Sequence, residues 1–318
     1  MKVLVVGLGA LGTVFSCLLK EQGHQVAGLD QETVVNSVKN FGVRVTGIWG
    51  EHAVYLDNLY TDAEQIVDRD FDLIIMTVKA FNTAQVSAQV CRLMGPHTYM
   101  ILAQNGYGNY QAAAENIPED KLILGRVIFG AETLEMGTSK VTVIADDVIL
   151  GSPRKLIDNQ LLSEFARFFT EAGIPTRVSD QVMQYMWGKI IYNSALNSLG
   201  AILEVNYGQL AEMEYSRTLM DCIIREIFAV MAAMQEPTLW PNADSYLQDF
   251  YGKMVPTTAA HHASMLQDIQ RGRRTEIEAL NGAIVELGKR FGVPTPVNEV
   301  ITQLVKAKET LNSSFSIL

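Results

Sequence analysis

A chain of 318 residues, 48% of them apolar and with no Pro- or Ser-rich tract, has the composition of a soluble globular enzyme and is long enough that two hydrophobic cores are expected. Its formal net charge of −10 excludes a general nucleic-acid surface, which requires clustered Lys and Arg; only Gln270 to Arg274 is locally basic. No apolar stretch beyond the N-terminal segment reaches the length of a bilayer span, so no membrane partner is expected.

The first element sets the reading. A β-branched apolar run, Val3 to Val6, enters Gly7-Leu8-Gly9-Ala10-Leu11-Gly12, and a second apolar run ends at Asp30. Each glycine has a separate job: a tight turn at Gly7, room for a pyrophosphate at Gly9, and close packing of helix on strand at Gly12. Free N–H groups of the following helix would face the phosphates, so Gly7, Leu8, Gly9, Ala10, Leu11 and Gly12 are the cofactor-binding candidates. Asp30 stands at the spacing of a carboxylate that accepts from ribose hydroxyls. The uncharged stretch from Val3 to Leu19, preceded by Lys2, could pass for a secretory signal. Three glycines in six residues would weaken such a helix, and a small-x-small cleavage site is lacking, so a cytoplasmic enzyme is expected.

Short apolar runs then alternate with helical patterns, the habit of a parallel sheet covered on both faces. Strands are predicted at Val3 to Val6, Gln25 to Leu29, Leu73 to Thr77 and Tyr99 to Leu102. Helices are predicted at Leu11 to Gln22, Ala63 to Val67 and Thr83 to Leu93, with short extra strands in Val43 to Tyr55 around Gly47 and Gly50. Val141 to Ile144 and Asp147 to Leu150 read as a hairpin turning near Ala145-Asp146. A helix from Leu156 to Ala172, followed by Gly173 and Pro175, closes this half. Beyond Ser179 strand signals fade, and amphipathic patterns predict helices at Gln181 to Leu203, Glu212 to Gln235, Ala243 to Lys253, His261 to Gln270, Thr275 to Phe291 and Val297 to Asn312. The fold class expected is an α/β Rossmann-type doubly wound domain over residues 1–178, followed by an all-α domain over 179–318 that carries substrate and catalytic groups.

Cys17, Cys91 and Cys222 are far apart among apolar neighbours and read as buried free thiols in a reducing compartment. No metal is expected: His261 and His262 are adjacent and would point about 100° apart on a helix. Trp240 and Phe250 are candidates for sealing either a homodimer or an intramolecular cleft.

The chemistry is predicted on the helix that begins near Gln181. Lys189, Asn193 and Asn197 recur at i, i+4 and i+8, stacking an amine and two carboxamides along one face within about 12 Å. Trp187, Ile190, Ile191, Leu196 and Leu199 flank them, so the polar stripe should be partly buried and should have partners or a ligand. A solvated stripe on a surface helix is the plainer alternative. Farther on, Thr275-Glu276-Ile277-Glu278 reads as a capping box, with Thr275 the cap, Glu278 its N3 partner and Glu276 in the first turn.

Taken together, Gly7-x-Gly9-x-x-Gly12, Thr77-Val78-Lys79, Gln104-Asn105-Gly106-Tyr107-Gly108, Trp187-Gly188-Lys189 with Asn193 and Asn197, and Ser264-Met265-x-x-Asp268 followed by Arg274-Thr275-Glu276-Ile277-Glu278-x-x-Asn281-Gly282 resemble the ketopantoate reductase family, in the family's order and over most of the chain. The resemblance implies reduction of a 2-oxo acid, 2-dehydropantoate to (R)-pantoate in pantothenate biosynthesis, by hydride from NAD(P)H between the two domains. It implies Lys189 as general acid and Glu276 as its companion in the catalytic pair. Asn105, Asn193, Asn197 and Ser264 would hold substrate, Lys79 and Asn105 would flank the cofactor, and Asp268 would support from behind.

The chain departs from the family at two positions. Members that use NADPH, the family default, commonly carry a basic residue where this chain has Asp30; a carboxylate there would repel a 2′-phosphate, so NADH is the expected preference. Gly188 stands where many relatives carry a charge. Two competing readings follow: an NAD-dependent D-2-hydroxyacid dehydrogenase acting on other branched or aromatic 2-oxo acids, and a non-catalytic nucleotide-binding regulator.

Overall fold

A computed structural model describes residues 1–315. The chain divides into two compact units, the first comprising Met1–Gln104 and Asn109–Met183, the second Asn105–Gly108 and Gln184–Leu318.

The first unit runs β1 (Lys2–Val6), α1 (Ala10–Glu21), β2 (Gln25–Leu29), α2 (Glu32–Phe41), β3 (Val43–Gly47), β4 (His52–Val54), β5 (Asn58–Tyr60), β6 (Leu73–Met76), α3 (Thr83–Val90), β7 (Tyr99–Leu102), α4 (Asn109–Ala114), β8 (Leu122–Arg126), β9 (Phe129–Glu135), β10 (Thr138–Ile144), β11 (Val148–Gly151), α5 (Asn159–Glu171) and β12 (Thr176–Val178). The main sheet has the order β12-β11-β8-β7-β6-β1-β2-β5, and β4-β3-β10-β9 form a second sheet. From β5 across to β8 the main sheet is parallel, with β11 antiparallel to β8. β1 is flanked by β2 on one side and β6 on the other, so the direction of winding reverses beside its C-terminal end, where doubly wound sheets bind ligands.

Helix α1 contacts strands of both sheets and is buried from Gly12 to Leu19. Phe15 lies edge-on to Phe129 and Phe169, with centroids 6.2 and 5.6 Å away. A helix covered on two sides must be apolar around much of its circumference, which is why this segment resembles a secretory one in composition.

The expected hairpin of 141–150 does not form. β10 pairs antiparallel with β9 through a turn at Met136-Gly137, where Gly137 has φ 83°. β11 instead joins the main sheet between β8 and β12. Ala145-Asp146-Asp147 therefore crosses from one sheet to the other, and the Asp146 carboxylate is fixed there by buried Arg126 at 2.6 Å and by Arg177 at 3.3 Å. Ala63–Gln65 forms a single 3₁₀ turn where a helix to Val67 was expected, with the Asp62 carboxylate accepting from the Glu64 N–H. Of the cysteines only Cys17 is fully buried; Cys91 and Cys222 are half-buried, and all are free thiols.

In the second part of the chain come α6 (Val182–Leu203), α7 (Tyr207–Glu212), α8 (Glu214–Met234), α9 (Ala243–Asp249), α10 (Val255–Thr257), α11 (Ser264–Gln270), α12 (Asn281–Phe291) and α13 (Pro296–Phe315). Residues Phe250–Met254 continue α9 as a π-helical turn. α11 starts later than its periodicity predicts because His262 pairs as a β-bridge with Asn206 and the His261 carbonyl accepts from the Tyr207 N–H. Backbone engaged in a bridge is not available to a helix. None of the helices among the described residues is long and apolar enough to cross a membrane. Phe250 is fully buried and stacks on Tyr246, and Trp240 packs edge-on to the same ring. Both therefore pack within their own unit.

Candidate active site

At the C-terminal end of β1, Gly7 has φ 94°, and a Cβ there would lie 2.9 Å from the Val78 nitrogen. At Gly12 a Cβ would fall 1.8 Å from the Gly7 carbonyl oxygen, so the helix can approach the turn only without a side chain. Gly9, by contrast, faces open space. It is the N-cap of α1, and no side chain caps the helix or places an acidic group in its first turn. Ala10 and Leu11 begin the helix and Leu8 closes the turn before it. N–H groups without a side-chain acceptor beside an open glycine are what a pyrophosphate requires.

Asp30 follows the last residue of β2. Its carboxylate accepts from the Leu8 N–H of the glycine turn and, at 2.6 Å, from the Gln31 N–H. Burial raises its pKa above the ordinary value, and these two N–H groups oppose the rise. Asp30, expected from its spacing to face a ribose, ties the strand to the glycine turn. The roles are compatible, because a carboxylate has about four lone-pair sites and these bonds use two. Lys79 lies past the C-terminal end of β6, the neighbour of β1, as the N-cap of a 3₁₀ turn over Ala80–Asn82. The open glycine, the uncapped helix and a ribose-type carboxylate fit a nicotinamide dinucleotide.

In the second unit, α6 presents Lys189 half-buried and Asn193 and Asn197 buried, at 8% and 5% exposure, among fully buried Trp187, Ile191 and Leu196. A solvated stripe is thereby excluded. The Asn197 Oδ1 accepts from the Tyr207 hydroxyl at 2.8 Å, which orients the carboxamide. Ser264 is the first residue of α11, and Asp268, one turn on, is buried at 8% exposure.

Asn105 and Glu276 are brought together, the Asn105 Nδ2 donating to Glu276 Oε2 at 3.4 Å. The contact is held by backbone: the Tyr107 N–H donates to the Ala279 carbonyl at 2.7 Å, and Gly106, with φ 88°, lies so close that a Cβ would sit 2.6 Å from Ala279. Glu276 precedes a 3₁₀ turn over Ile277–Ala279, and α12 begins only at Asn281. The expected capping box is absent. The Thr275 hydroxyl accepts from the Ile277 N–H, the Thr275 N–H donates to Glu309, and Glu278 pairs with Arg274 and Lys306.

Two supports escaped the sequence reading. Tyr207 is delivered by a capping box of Asn206 and Gln209 at the start of α7, a signal present in the sequence. Asn281, fully buried, donates to the Ser194 carbonyl of α6 at 3.1 Å and to Asn298 at 3.0 Å, while Asn298 donates to Glu226 at 2.7 Å. That chain of amides has no local signature. Among the described residues, no group of three or more His, Cys, Asp or Glu is placed to hold a metal ion.

Residues 3–155 match the family model described as Ketopantoate reductase PanE/ApbA, and residues 181–309 match Ketopantoate reductase PanE/ApbA C terminal. The chain is 47% identical over 312 residues to a 2-dehydropantoate 2-reductase of Aquifex aeolicus (strain VF5), covering 98% of each. It is 28% identical over 311 residues to one from Pyrococcus abyssi, covering 98% of this chain and 99% of that protein. Among solved structures, the ternary structure of D-mandelate dehydrogenase with NADH and anilino(oxo)acetate is similar with a TM-score of 0.88 at 26% identity, covering 98% of this chain and 99% of that one. A ketopantoate reductase from Ralstonia eutropha JMP134 has a TM-score of 0.85, also at 26% identity, with the same coverage.

Proposed function

The chain belongs to the ketopantoate reductase family, and on that premise we propose that it reduces 2-dehydropantoate to (R)-pantoate with NAD(P)H, a step of pantothenate biosynthesis. The observation that carries the reading is the full-length identity to a 2-dehydropantoate 2-reductase, joined to a buried polar stripe on α6 that dinucleotide binding alone does not require.

A bound reduced nicotinamide supplies the hydride. Gly7 to Gly12 and Asp30 would hold the dinucleotide, with Lys79 beside it. Lys189, as general acid, holds its ammonium proton toward the keto oxygen and releases it there as negative charge develops. A cation so placed stabilises the transition state more than the ground state. Asn193, Asn197 and Ser264 orient the substrate's polar groups. Asn105 and Glu276 act as one hydrogen-bonded pair beside the reacting centre, where a carboxylate favours the charged form of a lysine. The test is spectrophotometric: loss of reduced nicotinamide with 2-dehydropantoate, each cofactor offered in turn. No oxidation with either cofactor would overturn the reading, and turnover with one of them rules out a non-catalytic regulator.

Asp30 favours NADH over NADPH, because a carboxylate facing a 2′-phosphate is repelled by it. The same residue, with the similarity to D-mandelate dehydrogenase, supports a second reading as an NAD-dependent D-2-hydroxyacid dehydrogenase. A panel of branched and aromatic 2-oxo acids with NADH separates the two by kcat/KM. We place the enzyme in the reducing cytoplasm, in keeping with its free thiols.

A further inference from the structure

Gly188 lies inside α6, directly before Lys189, and glycine is a poor choice inside a helix. The reason lies in the loop between α8 and α9. A Cβ on Gly188 would lie 2.9 Å from Cζ3 and 3.1 Å from Cη2 of Trp240, so the edge of the indole occupies the space a side chain would take. That indole is anchored: its Nε1 donates to Asp249 at 2.9 Å, its backbone N–H donates to Thr238 Oγ1 at 2.9 Å, and its ring lies edge-on to Tyr246 with centroids 4.7 Å apart. Tyr246, fully buried, in turn donates from its hydroxyl to the Gly188 carbonyl at 3.1 Å. The backbone immediately before Lys189 is thus held by an indole edge where its Cβ would be and by a phenol on its carbonyl.

We propose that Gly188 and Trp240 form a matched pair that fixes the turn of α6 carrying Lys189, and that Trp240 is a positioning residue for that ammonium. The inference rests on Lys189 being the general acid. Because Gly188 and Lys189 are consecutive, any displacement of the turn by a clash at 188 reaches the ammonium, and misplacement by about 1 Å costs on the order of a hundredfold in rate.

The test is a double-mutant cycle in the full chain. Gly188→Ala is expected to lower kcat roughly tenfold while the KM for reduced nicotinamide stays within about twofold. Trp240→Ala should produce a similar loss, and Gly188→Ala with Trp240→Ala should be no worse than Trp240→Ala alone, since the new methyl then meets nothing. Trp240→Phe withdraws the Cζ3–Cη2 edge and should recover part of the Gly188→Ala loss. The second readout needs no turnover: with lysines ¹³C-methylated and Lys189 assigned through Lys189→Arg, its NMR resonance should move in Gly188→Ala and return toward its original position when Trp240→Phe is added. Additive losses, or a Lys189 resonance unmoved by Gly188→Ala, overturn the proposal. A wild-type enzyme inactive on every 2-oxo acid would defeat the substrate reading instead, and the resonance would still report on the pair.

Discussion

The hydroxyl of Tyr207 donates to Asn197 Oδ1 at 2.8 Å, in a place where the phenol is fully buried and its pKa is driven well above the ordinary value by that burial. The bond fixes the orientation of the carboxamide. Tyr207→Phe leaves a buried acceptor unpaired, at a cost of about 1–3 kcal/mol, and releases the amide to rotate. The expected outcome is a lower midpoint of thermal unfolding together with a KM for the 2-oxo acid raised roughly tenfold. A wild-type KM in a destabilised variant would show that Asn197 has no part in substrate binding.

Lys189→Ala should cut kcat at least about 100-fold, the range for loss of a general acid, with cofactor dissociation constants nearly unchanged in fluorescence titration. Turnover close to wild type would remove Lys189 from the mechanism.

Asp30→Asn should shift the ratio of kcat/KM values toward NADPH by roughly tenfold, because a repelling charge near the 2′-phosphate is gone. A pH effect accompanies it. Burial raises the carboxyl pKa above 3.8 in the native state, so between that value and the raised one the native state binds more protons than the unfolded chain. Stability contributed at this site therefore falls as pH rises through the interval and is level above it. Urea midpoints of wild type and Asp30→Asn, compared between about pH 4 and 7, should diverge in that sense.

The glycine turn separates into positions that serve the fold and positions that serve the ligand. Gly12→Ala forces a methyl against the Gly7 carbonyl and should destabilise by about 1–3 kcal/mol or more, as overpacking does. Gly9→Ala meets open space at a φ of −72° that alanine accepts, so unfolding should be unchanged while cofactor affinity drops. Equal unfolding midpoints for the two variants would refute the division.

The thiol of Cys17 is pushed up to about 12, chiefly by burial. Since the thiolate is the reactive form, a thiol reagent at about pH 8 should modify half-buried Cys91 and Cys222 and spare Cys17 until the protein is unfolded. Native-state labelling at Cys17, located by mass spectrometry, would contradict this.

Several elements were legible because their cause is local. The spacing of Gly7, Gly9 and Gly12 and the β-branched run before them specify a strand, a turn and a helix without reference to distant residues, and the i, i+4, i+8 order of Lys189, Asn193 and Asn197 fixes one helical face by geometry alone. What tertiary structure decided is which partner each segment takes. β10 and the residues after it read as a hairpin, yet Arg126 holds Asp146 at a crossing between two sheets, and strand pairing of that kind depends on contacts far apart in sequence. Glu276 read as a first-turn residue of a helix, yet Gly106 and Tyr107, more than 160 residues upstream, lie against Ala279 and set Glu276 beside Asn105. A sequence specifies its turns and periodicities through neighbours that are always present, whereas these contacts exist only once long loops have closed.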